Sequence, residues 1–219
     1  RHAVDTDKKT LQEAIRGADV FIGVSAANVL TGADVQAMGE FPAIFAMANP
    51  DPEIAPAAVA EALAGRRYVM VTGRSDYPNQ VNNVIGFPYI FRGALDVRAT
   101  CINEHMKHAA VRAIAALAHK PVPDVVNIAY NAQRFTFGKE YLIPKPLDPR
   151  LLTDVSIAVA KAAIESGVAR KPITDWDAYY DRLRDMMGYD NKLIRQFSDT
   201  ARSNPKRVVF AESNLNMLK

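Results

Sequence analysis

The feature that most constrains the fold is an alternation, early in the chain, between short runs that are apolar throughout and segments with helical spacing. Asp19-Val20-Phe21-Ile22-Gly23-Val24, Ala43-Ile44-Phe45-Ala46-Met47-Ala48 and Tyr68-Val69-Met70-Val71-Thr72 have the length and composition expected of fully buried strands. Residues 8–15, 33–38 and 55–63 read as helices, the first closed by Gly17. Strands that are apolar on both faces need cover on both, and helical crossovers between them keep successive strands parallel. The pattern predicts an α/β fold: part of a doubly wound (Rossmann-like) parallel sheet, covered on both faces and followed by a helical C-terminal segment.

The helical segment begins at Phe87. Residues 103–119 carry an apolar stripe of Met106, Ala109, Ala110, Ala113, Ile114 and Leu117, and Pro121 and Pro123 end it. A second long helix is expected at 151–166, closed by Gly167, with two more at 174–187 and 191–201. The tail then changes character. Ser203-Asn204-Pro205-Lys206 is linker-like, and Arg207-Val208-Val209-Phe210-Ala211 has strand character with nothing nearby to pair with. The division is therefore expected near Ser203, with residues 1–202 forming one domain and its helical extension, and 203–219 a linker and the start of another. The first residue is not methionine and helical spacing begins almost at once, so the chain reads as a piece of a longer protein.

Composition narrows the class. With 219 residues, 49% hydrophobic and 23% charged, the chain can bury a globular core without a disulfide or metal staple. A net charge of +3 with both signs interspersed is too weak to draw a nucleic acid or a membrane surface. No run approaches the roughly 18 apolar residues of a membrane helix. Cys101, the single cysteine, has no internal partner; it is expected to be a small buried hydrophobe in a protein of the reducing cytoplasm.

Ligands of a doubly wound sheet bind beyond the carboxyl ends of its strands. Three segments fall there. Ser25, after the first strand, could meet a ribose or phosphate or could simply belong to a helix-capping loop. No GxGxxG occurs anywhere in the chain. Asn49, in Asn49-Pro50-Asp51-Pro52-Glu53, follows the second strand between fixed prolines. Its amide can donate to a carboxylate and accept from a hydroxyl without changing charge, or it can turn back on its own backbone. The third segment, Thr72-Gly73-Arg74-Ser75-Asp76-Tyr77-Pro78-Asn79-Gln80-Val81-Asn82-Asn83, concentrates amides, hydroxyls and an Arg–Asp pair. The apolar run from Val84 to Phe91 should anchor it to the core. Elsewhere, His105 and His108 lack a third metal ligand and are expected on a solvated helix face, while Trp176 is expected to anchor packing at a helix start with acidic Asp175 and Asp177.

The stretch from Val71 to Asn83, continued by Gly86-Phe87-Pro88-Tyr89-Ile90-Phe91-Arg92-Gly93-Ala94-Leu95-Asp96-Val97, resembles the malic enzymes. Phe45-Ala46-Met47-Ala48-Asn49-Pro50 is similar to the family's strand-end asparagine motif, and Tyr141-Leu142-Ile143-Pro144-Lys145-Pro146-Leu147-Asp148-Pro149-Arg150 to its bacterial branch. The resemblance covers about residues 1–200. Ala27-Asn28 departs from it, standing where many relatives have proline and glycine. The tail from Asn204 to Glu212 resembles the opening of a phosphate acetyltransferase-like domain, as in the long bacterial hybrid malic enzymes, where such a domain typically serves regulation.

That resemblance implies oxidative decarboxylation of L-malate to pyruvate and CO2 with reduction of NADP, NAD being possible. Asn49, Asn82 and Asn83 would contact the substrate, and Ser25, Asn49 and Asn82 the cofactor. Adjacent side chains of a regular strand point to opposite faces, so Asn82 and Asn83 could share a ligand only at a turn or helix start. The family's general acid and base and the carboxylates that bind Mg2+ or Mn2+ lie upstream of this chain, which is assigned no catalytic or metal-binding residue. A homo-oligomer regulated by acetyl-CoA is expected. The alternative is a nucleotide-sensing or assembly module of the same fold, against which Asn49, Asn82 and Asn83 argue.

Overall fold

The computed structural model describes residues 4–132, 134–187 and 200. It divides into two compact units, Arg1–Thr174 and Asp175–Lys219. In the first, local chemistry starts each early helix. The Thr10 and Thr31 side chains form capping boxes with Glu13 and Asp34 at the heads of α1 (Leu11–Ile15) and α2 (Gly32–Gln36), and a proline opens α3 (Pro56–Ala62). These helices alternate with β1 (Val20–Gly23), β2 (Ala43–Ala46) and β3 (Val69–Thr72), which pair in parallel in the order β1-β2-β3. Phe21, Ile44 and Met70 are in register, as are Gly23, Ala46 and Thr72, so these six residues face one side of the sheet. On that side Ile44 and Ala46 share a core with Ile15, Val35 and Val59 of the three helices.

The other face of β1 is open among the described residues. Val20, Ile22 and Val24 are 51%, 66% and 78% exposed. β1 is an edge strand of this sheet, and α1, α2 and α3 all contribute to the core on the opposite side.

A turn of 3-10 helix (Asn83–Ile85) leads into α4 (Phe87–Asp96), followed by α5 (Glu104–Ala118), α6 (Asp124–Ala129) and α7 (Arg150–Glu165). α7 packs against both α4 and α5. Gly93 marks the tightest approach, since a Cβ there would overlap the Ser156 carbonyl and stand 2.9 Å from Val159 Cβ. The expected stripe of α5 is present: Met106, Ala110 and Leu117 are buried, and Ala109, Ala113 and Ile114 half-buried. The sequence reading lacked α6, because Pro123 looked like a helix stop whereas it is the N-cap of a new helix. Cys101 is exposed rather than buried, since it lies in the irregular connection between α4 and α5.

The second unit contributes α8 (Trp176–Asp185), whose N-cap Asp175 accepts a hydrogen bond from the Ala178 amide. Trp176 is half-buried and meets Tyr179 edge-on at 6.1 Å, in keeping with a packing role. The helix expected at 191–201, apart from Thr200, and the linker and strand expected at 203–211 lie outside the described residues.

Candidate functional site

Parallel strands end on the same edge, and here β1, β2 and β3 reach their carboxyl ends together at Gly23, Ala46 and Thr72. A bridge between Thr72 and Gln80, with the Val81 amide donating to the Thr72 carbonyl at 2.7 Å, holds the third polar segment at that edge. Ser25, Asn49 and Asn82 each lie two or three residues beyond these paired positions. The topology therefore gathers all three on the carboxyl edge, where an open parallel sheet binds ligands.

Asn49 is exposed and precedes a cis Pro50. Its amide makes no hydrogen bond among the described residues, so the turn-forming alternative, in which the amide bonds its own backbone, is not the one adopted. Asn82 is the N-cap of the 3-10 turn, its Oδ1 accepting from the Val84 amide at 3.0 Å. Asn83 opens that turn and is exposed. This is the helix start that frees the two neighbours from opposite faces of a strand. Asn83 borders a cleft of about 740 Å³ lined by Phe87, Ile90, Phe91 and Ile102, with Lys107 at its edge.

Two residues that the sequence reading passed over frame this edge. Glu53 is fully buried. Its Oε1 accepts from the Ser25 amide at 2.8 Å and the Ser25 hydroxyl at 3.3 Å, and its Oε2 from the Ala48 amide at 3.0 Å. Burial pushes its pKa up, but the amide donors of Ser25 and Ala48 outweigh this and hold it below the ordinary carboxylate value. Space for the carboxylate exists only because residue 23 is glycine: a Cβ there would overlap it. Ser25, the expected cofactor contact, is thus fixed to the turn after β2 through both its amide and its hydroxyl, although the residue as a whole is exposed.

Asn79, 2% exposed with φ of 55°, is the second. Its Nδ2 donates to the carbonyls of Met70 (3.1 Å) and Lys139 (2.7 Å), and its Oδ1 accepts from the Leu142 amide at 2.8 Å. It therefore fastens the segment before Asn82 to β3 and to a distant loop. The expected Arg–Asp pair is present and extended: Arg74 holds Asp76 through two bonds of 2.8 and 2.9 Å, and Asp51 through one of 3.0 Å, joining the turns after β2 and β3. The Asp76 carboxylate raises the Arg74 pKa above its already high value.

His105 and His108 are exposed, and His105 Nε2 lies 3.3 Å from Glu165. Among the described residues no group of three or more His, Cys, Asp or Glu could hold a metal ion, and no helix is long and apolar enough to cross a membrane.

A family model described as malic enzyme, NAD binding domain, matches residues 1–129. Over 211 residues the chain is 56% identical to an NADP-dependent malic enzyme of Rhizobium meliloti (strain 1021), covering 96% of this chain and 28% of that protein. It is also 50% identical to an NAD-dependent malic enzyme of the same organism, covering 96% of this chain and 27% of the relative. The solved malic enzyme of Pyrococcus horikoshii Ot3 superposes with a TM-score of 0.67 at 34% identity, covering 88% of this chain and 40% of that one. The chain thus spans little more than a quarter of the length of these curated relatives. With the parallel sheet and its polar carboxyl edge, these likenesses show that the chain belongs to the malic enzyme family and carries its NAD-binding domain.

Proposed function

We propose that the protein containing this chain oxidises L-malate and decarboxylates it to pyruvate and CO2, and that this chain supplies the nucleotide-binding part and the substrate-contacting asparagines. NADP is the cofactor of this reading, with NAD as the second possibility, since relatives named for each resemble the chain closely. The observation that carries it is the free amide of Asn49 on the same sheet edge as Asn82 and the anchored Ser25.

The donors fit a nicotinamide nucleotide and a hydroxy acid. Asn49 and Asn82 offer neutral N–H and C=O groups, which bind a carboxylate, hydroxyl or ribose equally well across the pH range. Asn83 adds a third amide beside them. When bound, the nicotinamide accepts a hydride from C2 of malate. The residues described here orient the two reactants: amides at fixed strand ends hold the carboxylate and hydroxyl while the oriented loop of Ser25 receives the nucleotide. No cluster among the described residues would hold a metal, and Mg2+ or Mn2+ would be bound by carboxylates upstream of this chain. Assembly as a homo-oligomer in the cytoplasm and control by acetyl-CoA through a phosphate acetyltransferase-like domain complete the proposal, supported by the tail sequence Asn204 to Glu212.

The test is malate-dependent reduction of NADP and of NAD by the full-length protein, with and without Asn49→Ala and Asn82→Ala. Each substitution leaves a ligand group unpaired, a cost of about 1–3 kcal/mol, and should lower kcat/KM at least about tenfold with the fold retained. Near-parental kinetics in both variants would take the amides out of the substrate site and leave Asn82 only the cap of its turn. A parent protein that binds nucleotide but turns over no malate would favour a sensing module instead.

A further inference from the structure

Asn49 can orient a ligand only if the turn that carries it is itself fixed, and the buried side chain of Glu53 ties that turn from within. The Arg74–Asp51 pair clamps the same turn, but both side chains are substantially exposed and such pairs contribute little. Glu53 is different in kind. It lies four residues beyond Asn49, yet its side chain folds back so that one oxygen takes the amide of Ala48, the residue directly before Asn49. The other takes the amide and hydroxyl of Ser25. Two main-chain contacts reinforce the seam, from the Asn28 amide to the Pro52 carbonyl at 3.2 Å and from the Leu30 amide to the Glu53 carbonyl at 3.0 Å. The site has been cleared for a carboxylate, because Gly23 leaves the space that any side chain would take from it.

We infer that Glu53 is the positioning residue of this site, a buried carboxylate that fixes the backbone before Asn49 and the loop of Ser25 in one frame and so sets where the substrate amide points. The inference rests on the proposed role of Asn49. Its chemistry is specific to a carboxylate. All three groups that meet Glu53 are donors, and a carboxylate is the one side-chain group of this size that only accepts. Glutamine has nearly the same shape but would turn an NH2 group toward one of those donors, leaving a buried donor unmatched and the turn free to shift.

The experiment is a double-substitution cycle in the full-length protein, read as malate kcat and KM with NADP, beside the thermal midpoint. Glu53→Gln should lower kcat/KM about tenfold or more, with most of the loss in malate rather than NADP dependence. Because Glu53 acts through Asn49, the pair Asn49→Ala with Glu53→Gln should be within about twofold of Asn49→Ala alone. Gly23→Ala, which displaces the carboxylate without removing it, should show the same lack of additivity, and it replaces Glu53→Gln should that variant fail to fold. Losses that multiply, or a folded Glu53→Gln protein within about threefold of the parent, would overturn the inference and make Glu53 a structural residue only. If Asn49→Ala itself is near-parental, the reading of the substrate site fails first, and that outcome is distinguishable from failure of the Glu53 role alone.

Discussion

At the scale of single residues, the side chains that hold the sheet edge are less visible in the sequence than those proposed to face its ligand. Asn79 shows why. Three hydrogen bonds and a positive φ fix it, and two of the bonds reach 60 and 63 residues along the chain. Replacing it with alanine strands two carbonyls and an amide and should lower stability by about 1–3 kcal/mol. Asn79→Gly keeps the backbone conformation while losing the same bonds, so the two variants separate the terms. Both should lower the thermal midpoint, alanine more; a glycine variant as stable as the parent would mean that the backbone angle alone matters. Asn49 draws notice as a polar residue directly after an apolar run, and Asn82 as part of an amide-rich segment that resembles a known family. Glu53 does not: nothing in Asp51-Pro52-Glu53 tells that a loop 28 residues earlier will close over the carboxylate.

Elements were read well where period and length coincide, and poorly where tertiary contact decides. The three strands and the long helices α5 and α7 follow from spacing alone. α6 is six residues long directly after Pro123 and gives too short a period to count. Gly93 likewise looks like any mid-helix glycine, a weak point by propensity. Its meaning appears only against α7, where its missing Cβ admits the Ser156 carbonyl. Gly93→Ala therefore runs opposite to propensity. The helix gains a better former, yet the overpacked crossing should cost about 1–3 kcal/mol. Amide exchange in α4 and α7 should quicken and the thermal midpoint fall; an unchanged midpoint would show that the two helices can part at no cost.

For the whole molecule, the described residues provide a nucleotide-binding layer and a helical layer, while control is proposed to reach it from elsewhere. Acetyl-CoA should change malate turnover in the full-length protein and leave a version ending near Ser203 unaffected, since a regulator must bind two states of the assembly differently. Identical responses in both proteins, or none in either, would refute that part of the proposal. The Asn79 staple also orders events in time. A ribosome adds about 5–20 residues per second from the amino end. Asn79 thus emerges on the order of 3–12 s before Lys139 and Leu142, some 60 residues later. During that interval the nascent strands can pair, and the segment leading to Asn82 is held only by its bonds to β3 and the turn after β2. This edge of the protein can take its final shape only after Leu142 has been made.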